Sequence, residues 1–266
     1  MSELSHRFRI VDVHSHVHAG SDAGRSHTAS AEQLERETRQ AGIVRSVVFA
    51  DAQPDGEGYL RANNAVARHA VERPFVAFAR IDGPRDPGSR LGGLTGGRED
   101  HHADPEDVER YAYNDRFEGF KLDPVRDGLP DSETLDALAD VDLPVVVHGG
   151  EGFAPSAVAD ELLEYGFPVV LAHFGGHPLN RELMDEAVGL LGQYDNLYLD
   201  TSAVRYRGEL ERAVREHPSR VVFGSGAPTV HPSVAVMEVL TLDVPEDTMA
   251  RVFSKNAARI LPALAP

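Results

Sequence analysis

The chain of 266 residues contains no cysteine and no tryptophan. Without cysteine there can be no disulfide framework, thiolate nucleophile, cysteine zinc finger or iron–sulfur cluster. Lysine is almost missing too: of 26 basic residues only Lys121 and Lys255 are lysine, and the other 24 are arginine. No apolar run approaches the roughly 18 residues of a membrane-spanning helix. The segment Met1 to Arg9 is polar and charged, so it lacks the apolar centre of a signal peptide. The cytosol is therefore the expected location, with no membrane partner. Positive charge is in short supply: 43 acidic residues give a net charge of −17 with histidine neutral. That balance argues against nucleic acid and anionic membrane surfaces, which need clustered Lys and Arg. A small-molecule substrate is the expected partner, and a homo-oligomer is left open.

What is present is more specific. There are 13 histidines, and neutral imidazole is the commonest metal ligand. Short, β-branched apolar runs begin near Arg9, Val44, Phe75, Phe117, Pro144, Pro168, Asn196 and Arg220. Their spacing is that of βα units, and their nearly continuous apolar character suits parallel strands buried on both faces. Helix signals fill the gaps. Ser30 with Gln33 forms a capping-box pattern before a helix ending near Gly42, and Asp104-Pro105-Glu106-Asp107 opens another. Helices are also expected over Pro155 to Tyr165, from Asn180 through Leu191 and from Arg207 to Glu216. Eight strands alternating with helices predict an α/β fold, a single-domain (β/α)8 TIM barrel over residues 1–266. An open doubly wound sheet is the alternative. Two segments break the rhythm, 17–30 after the first strand and 83–103 after the third, the latter with six glycines. Both follow strand ends and so fall on the face that holds a barrel's active site, as substrate loops or as loops without function.

The polar residues that end the strands carry the chemistry. Strand one ends in Asp12-Val13-His14-Ser15-His16. Alternation puts His14 and His16 on one face, about 7 Å apart, where two imidazoles can share a cation. Strand five ends in His148 and strand six in His173. In a closed barrel these tips converge, so four histidines would surround one site. Lys121 and Asp123 end strand four on a common face, Asp51 and Asp82 end strands two and three, and Asp200 ends strand seven. Substrate binding and turn capping are both open for Asp51 and Asp82. His18, His27, His101, His102, His177 and His231 lie in loops on the same side, with His177 near enough to reach the site.

The segments VDVHSH (Val11 to His16), FKLDP (Phe120 to Pro124), VHGG (Val147 to Gly150), LAHFGG (Leu171 to Gly176), FGSGAP (Phe223 to Pro228) and FSKNAARIL (Phe253 to Leu261) resemble the amidohydrolase superfamily. The resemblance is to its amidohydrolase-related branch, of the aminocarboxymuconate-semialdehyde decarboxylase type. It implies a (β/α)8 barrel with one or two divalent metals, usually Zn2+. It implies further that His14, His16 and His148 are metal ligands, with His173 beside the activated water as proton shuttle or oxyanion partner. A strand-four lysine is carbamylated in some members. A substrate-carboxylate anchor or a structural ion pair is the reading preferred here for Lys121.

One departure stands out. The family motif on strand eight is Gly-Ser-Asp-x-Pro, whose Asp binds metal and handles a proton, whereas this chain reads Gly224-Ser225-Gly226-Ala227-Pro228. Gly226 has no ligand atom and no proton acceptor. Three imidazoles and water still form a sufficient catalytic zinc set. Candidates for the missing acid/base are His173, Asp200 and Glu151. Each has a plainer alternative: a loop hydrogen bond, a turn cap and a solvated acid, respectively. Lys121, Glu151 and His177 are the candidate substrate-binding residues. The leading expectation is a metal-dependent hydrolase of an ester, lactone or amide bond. A non-oxidative decarboxylase of a small carboxylic acid and a catalytically degenerate ligand-binding barrel are the alternatives.

Overall fold

Each of the eight apolar runs becomes a strand: β1 (Ile10–Val17), β2 (Ile43–Ala50), β3 (Phe75–Arg80), β4 (Phe117–Leu122), β5 (Val145–Gly150), β6 (Val169–His177), β7 (Leu197–Asp200) and β8 (Val221–Val222). The computed structural model describes residues 7–18, 29–54, 56–87 and 99–266. The greater parts of the two Gly- and His-containing loops, with His27, lie outside the described residues. The strands follow chain order around one sheet, and each neighbouring pair is parallel. Backbone bonds beyond the short β8 join it to β1. Val13 N donates to Phe223 O (2.9 Å), His16 N to Ala227 O (2.8 Å) and Gly226 N to His14 O (2.9 Å). The ring closes as a (β/α)8 barrel, and no helix among the described residues is long and apolar enough to cross a membrane.

The helices start where capping chemistry dictates. Ser30 Oγ accepts from Gln33 N at the head of Ala31–Gln40, and Asp104 and Asp107 form a reciprocal box at the head of Pro105–Ala112. Asn180 caps Arg181–Leu190, and Pro155–Leu162 runs into a tight turn ending at Gly166, whose φ of 89° only glycine adopts freely.

Strand alternation divides the core in two. Val48, Ala79, Phe120, Val147 and Leu171 pack outward under the helices. Phe49, Phe78, Val146, Val170, Tyr198 and Val222 point inward and fill the barrel, with Leu261 and Leu264 packed against them. Arg9 holds Leu264 O (2.7 Å) and Arg45 holds Ala263 O (2.7 Å), so the chain's last turn seals the N-terminal end. Among the described residues, the inward-facing charged and imidazole side chains therefore stand at the C-terminal tips, above a largely apolar floor.

Strand β1 breaks this alternation. Ile10 faces outward and Val11 and Val13 inward, yet Val17 faces outward again. The switch coincides with a register shift between Asp12 and Ser15. A regular strand would have put His14 on the side of Ile10, under the helices; the bulge re-aims it into the barrel, against Phe49 (ring centres 5.3 Å apart). Asp12 fixes that bulge. Fully buried, it accepts from His14 N (3.0 Å), Ser15 Oγ (2.6 Å), Ser225 N (2.8 Å) and Ser225 Oγ (2.6 Å). Burial pushes its carboxyl above the ordinary value, and these four donors work in the opposite direction. The same carboxylate thus shapes β1 and ties it to the segment after β8. Asp12→Ala leaves buried donors without an acceptor, and we expect a loss on the order of 3 kcal/mol. Urea unfolding monitored by circular dichroism checks this, and a variant as stable as the parent refutes it.

Candidate active site

Five imidazoles meet at the open end of the barrel. Ring centres are 5.4 Å apart for His14 and His16, 5.0 Å for His14 and His173, and 4.9 Å for His148 and His173. His177 joins them at 4.6 Å from His148 and 5.1 Å from His173. His148 follows the inward parity of Val146. His173 does not, since Val169 and Leu171, four and two residues earlier, face outward. Its backbone instead enters the left-handed region (φ 58°), as does that of Phe174 (φ 51°), and the side chain swings inward. Such non-glycine conformations cost about 1–3 kcal/mol each and persist only where surroundings enforce them. Here Phe174 is locked in the outer core and His173 N donates to Asp200 Oδ1 at 3.0 Å.

Asp200 stands behind the rings, fully buried, with both oxygens engaged. Oδ2 accepts from His14 Nδ1 at 2.7 Å. Oδ1 accepts from His173 N (3.0 Å), from Ser202 N (2.9 Å) and from the Ser202 hydroxyl. Burial alone would raise its carboxyl, but His14, His173 and the Ser202 hydroxyl together hold it well below the usual range. His173 Nδ1 lies 3.1 Å from Ser202 O. Three of the imidazoles, His16, His148 and His173, are held neutral. Burial first, then the neighbouring rings and cations, pushes His16 and His148 well below the ordinary value. Burial and then His14 push His173 down to about 3.

The cationic side of the mouth has two residues in different states. Arg80 is buried and paired with Asp127 (2.7 Å) and Asp123 (3.4 Å), under the Tyr59 ring. Lys121 is equally buried, 5.3 Å from the Phe49 ring centre, and its Nζ has no hydrogen-bond partner among the described residues. Asp123, which shares its strand end, pairs with Arg80 instead. Desolvation lowers the Lys121 amine to about 8, which still leaves it charged at neutral pH. Glu151 sits exposed at the rim, 3.4 Å from Asn180 Nδ2. It lines a cavity of about 490 Å³ with Asp123, Arg126, His148, Phe153 and His177. Asp51 lies 3.9 Å from His16 Nδ1 and 3.6 Å from His18 Nδ1.

The donor set fits a divalent ion. Two imidazoles on one tetrahedral ion stand with ring centres about 5 Å apart, close to the 5.4 Å between His14 and His16. A carboxylate on His14 Nδ1 leaves Nε2 as its ligand atom, the usual outer support of a metal-bound histidine. Among the described residues no three His, Asp or Glu groups already form a finished cage.

A ring of imidazoles above the floor of a (β/α)8 barrel, backed by a buried carboxylate, defines a class of hydrolytic and lyase barrels. Residues 11–263 match the amidohydrolase family model, and the chain belongs to that family. No curated protein matches the sequence. Among solved structures, the 5-carboxyvanillate decarboxylase of Sphingomonas paucimobilis is 17% identical with a TM-score of 0.63, over 96% of this chain and 99% of that one. A dihydroxybenzoic acid decarboxylase of Polaromonas sp., with bound manganese and the inhibitor 2-nitroresorcinol, is 16% identical (TM-score 0.67; 97% and 98%). A probable 2-pyrone-4,6-dicarboxylic acid hydrolase of Acinetobacter baumannii with citric acid bound is 13% identical (TM-score 0.64; 95% and 99%). At these identities the likeness carries the barrel, not the reaction.

All the histidines expected at the strand tips come together, with Lys121 below and Glu151 at the edge. Three participants were not singled out from sequence: Asp12, Arg80 and Ser202. Inward parity on β3 could have found Arg80. Nothing local marks Asp12 or Ser202, whose partners lie on other strands.

Two outcomes follow. Asp200→Asn cannot accept from both His14 and its other donors, and we expect Zn2+ affinity to fall about 10- to 100-fold, measured by competition titration. At the tip of β3, burial raises the Asp82 carboxyl to about 6, only partly offset by the Ala103 N–H (3.0 Å). A raised folded-state value means the native state holds this proton more tightly than the unfolded chain. Its stabilising share is full below about 4 and is lost as pH rises through about 6. Thermal melts of Asp82→Asn should lack that decline.

Proposed function

We propose that the protein is a metal-dependent hydrolase that opens an ester, lactone or amide bond in a small carboxylated molecule. The observation that carries this reading is the cluster of imidazoles, two of them, His14 and His173, held from behind at Nδ1, beside a buried cation whose Nζ has no hydrogen-bond partner among the described residues. His14, His16 and His148 would hold the ion, with Zn2+ the ion proposed. When bound, it supplies Lewis acidity toward a substrate carbonyl and lowers the pKa of water. His173, with Nδ1 turned to the Ser202 carbonyl, directs Nε2 at the mouth and accepts the proton of the attacking water. Asp200 acts through His14, keeping its ring oriented, rather than at the substrate. Lys121 pairs with the substrate carboxylate, which restores the partner its burial has removed. Glu151 and His177 bear on the outer part of the substrate from the rim.

The unpartnered Lys121 also favours a second reading. A cation buried next to the rings suits a carboxylate that is itself the reacting group, so decarboxylation of a small carboxylic acid is the alternative on the same residues.

Metal content and turnover test both. The purified protein should carry stoichiometric metal and turn over members of a panel of carboxylated esters, lactones and amides; His14→Ala/His16→Ala should lose metal and turnover together. Lys121→Met should keep the metal but lose about 10- to 100-fold in kcat/KM on carboxylated substrates. Release of CO2 from aromatic or enoic acids, with no hydrolysis, selects the decarboxylase. A metal-free protein inert to the whole panel overturns both and leaves a ligand-binding barrel.

A further inference from the structure

The two rings that the proposed chemistry uses most, His14 and His173, share one neighbour. Ser202 is fully buried on the segment after β7, and its Oγ lies 2.9 Å from His173 Nδ1 and 3.2 Å from His14 Nδ1. The proton bookkeeping has one solution. The Asp200 carboxylate only accepts, so His14 Nδ1, 2.7 Å from it, carries a hydrogen. The Ser202 carbonyl only accepts, so His173 Nδ1, 3.1 Å away, carries one as well. The Ser202 hydroxyl donates to Asp200 Oδ1 and is left an acceptor toward both rings. In the neutral form of each ring, Nε2 is then a bare lone pair.

The residue at 226 leaves Ser202 uncrowded. Gly226 has φ 68°, and a Cβ built on it would come 3.2 Å from Ser202 Cβ, with nothing else nearer than 3.9 Å. Among the described residues, the side chain that a Cβ at 226 would press on is that of Ser202. The glycine that removes a carboxylate from strand eight also makes the space beside strand seven in which Ser202 sits.

We propose that Ser202 is a positioning residue of this site, fixing His14 and His173 in the Nδ1–H form with Nε2 toward the mouth, and that glycine at 226 is what permits it. This rests on the five-ring site of the proposed function but not on which bond is cleaved. The test starts with the unaltered, metal-free protein. In 15N spectra of histidine-labelled protein, His14 and His173, assigned by single His→Gln variants, should each show a protonated Nδ1 and an unprotonated Nε2. Either ring protonated on Nε2 overturns the inference. Zn2+ alone is then titrated in competition with a chelator. Ser202→Ala should bind it about tenfold or more weakly, with an unchanged far-ultraviolet circular dichroism spectrum. Gly226→Ala should also weaken it, and should do so less in a Ser202→Gly background, where the contact is relieved. Unchanged affinity in Ser202→Ala, or equal costs of Gly226→Ala in both backgrounds, overturns the proposal. The spectra decide the ring states even where Zn2+ is not retained. An inert protein with both rings in the expected form would sink the hydrolase reading and leave this one standing.

Discussion

The buried carboxylate of Asp12 is the constraint on which the molecule turns. It draws the backbone of His14, the hydroxyl of Ser15 and both donors of Ser225 to one point. The pull has two results that are usually separate. It closes the ring of strands at its weakest junction, where β8 has only two residues, and it shifts β1 by one place so that two histidines face inward. Stability and site geometry therefore share one anchor. A charge buried this deeply is tolerable because all four of its contacts are donors.

The same logic recurs one layer higher. Asp200 gathers four donors, and its effect is to orient rather than to react. His173 is brought in by left-handed backbone that the Asp200 contact helps to enforce. The mouth thus combines clustered rings, two buried carboxylates behind them and one cation, Lys121, whose Nζ has no hydrogen-bond partner among the described residues. Most of the 43 carboxylates take no part in this; those at helix starts, such as Asp104 and Asp107, do ordinary capping work.

The barrel and most of the mouth were legible in sequence because they depend on local patterns. Apolar runs with polar tips mark eight strands, and His14, His16, His148 and His173 sit at those tips. The path by which two of them arrive was not legible. Simple alternation pairs His14 with His16 correctly, but places both on the wrong side of the sheet unless β1 slips, and the slip depends on Ser225, more than 200 residues away. For His173 alternation also predicts the outer face, and only the φ of 58° corrects it. Ser202 was invisible for a related reason: a serine after an Asp-Thr pair reads as a turn, and its meaning comes from the rings it meets across the barrel. Gly226 was noticed for the side chain it lacks; the folded chain adds what that vacancy admits.

The sealed lower end has its own consequence. Leu261 and Leu264 stopper the barrel beneath the Phe49 and Phe78 layer, and Arg9 and Arg45 hold the stopper by its carbonyls. The interior is a blind well rather than a corridor. Among the described residues the open end is rimmed by His148, Glu151 and His177, so an arriving molecule and a departing one share that side of the well.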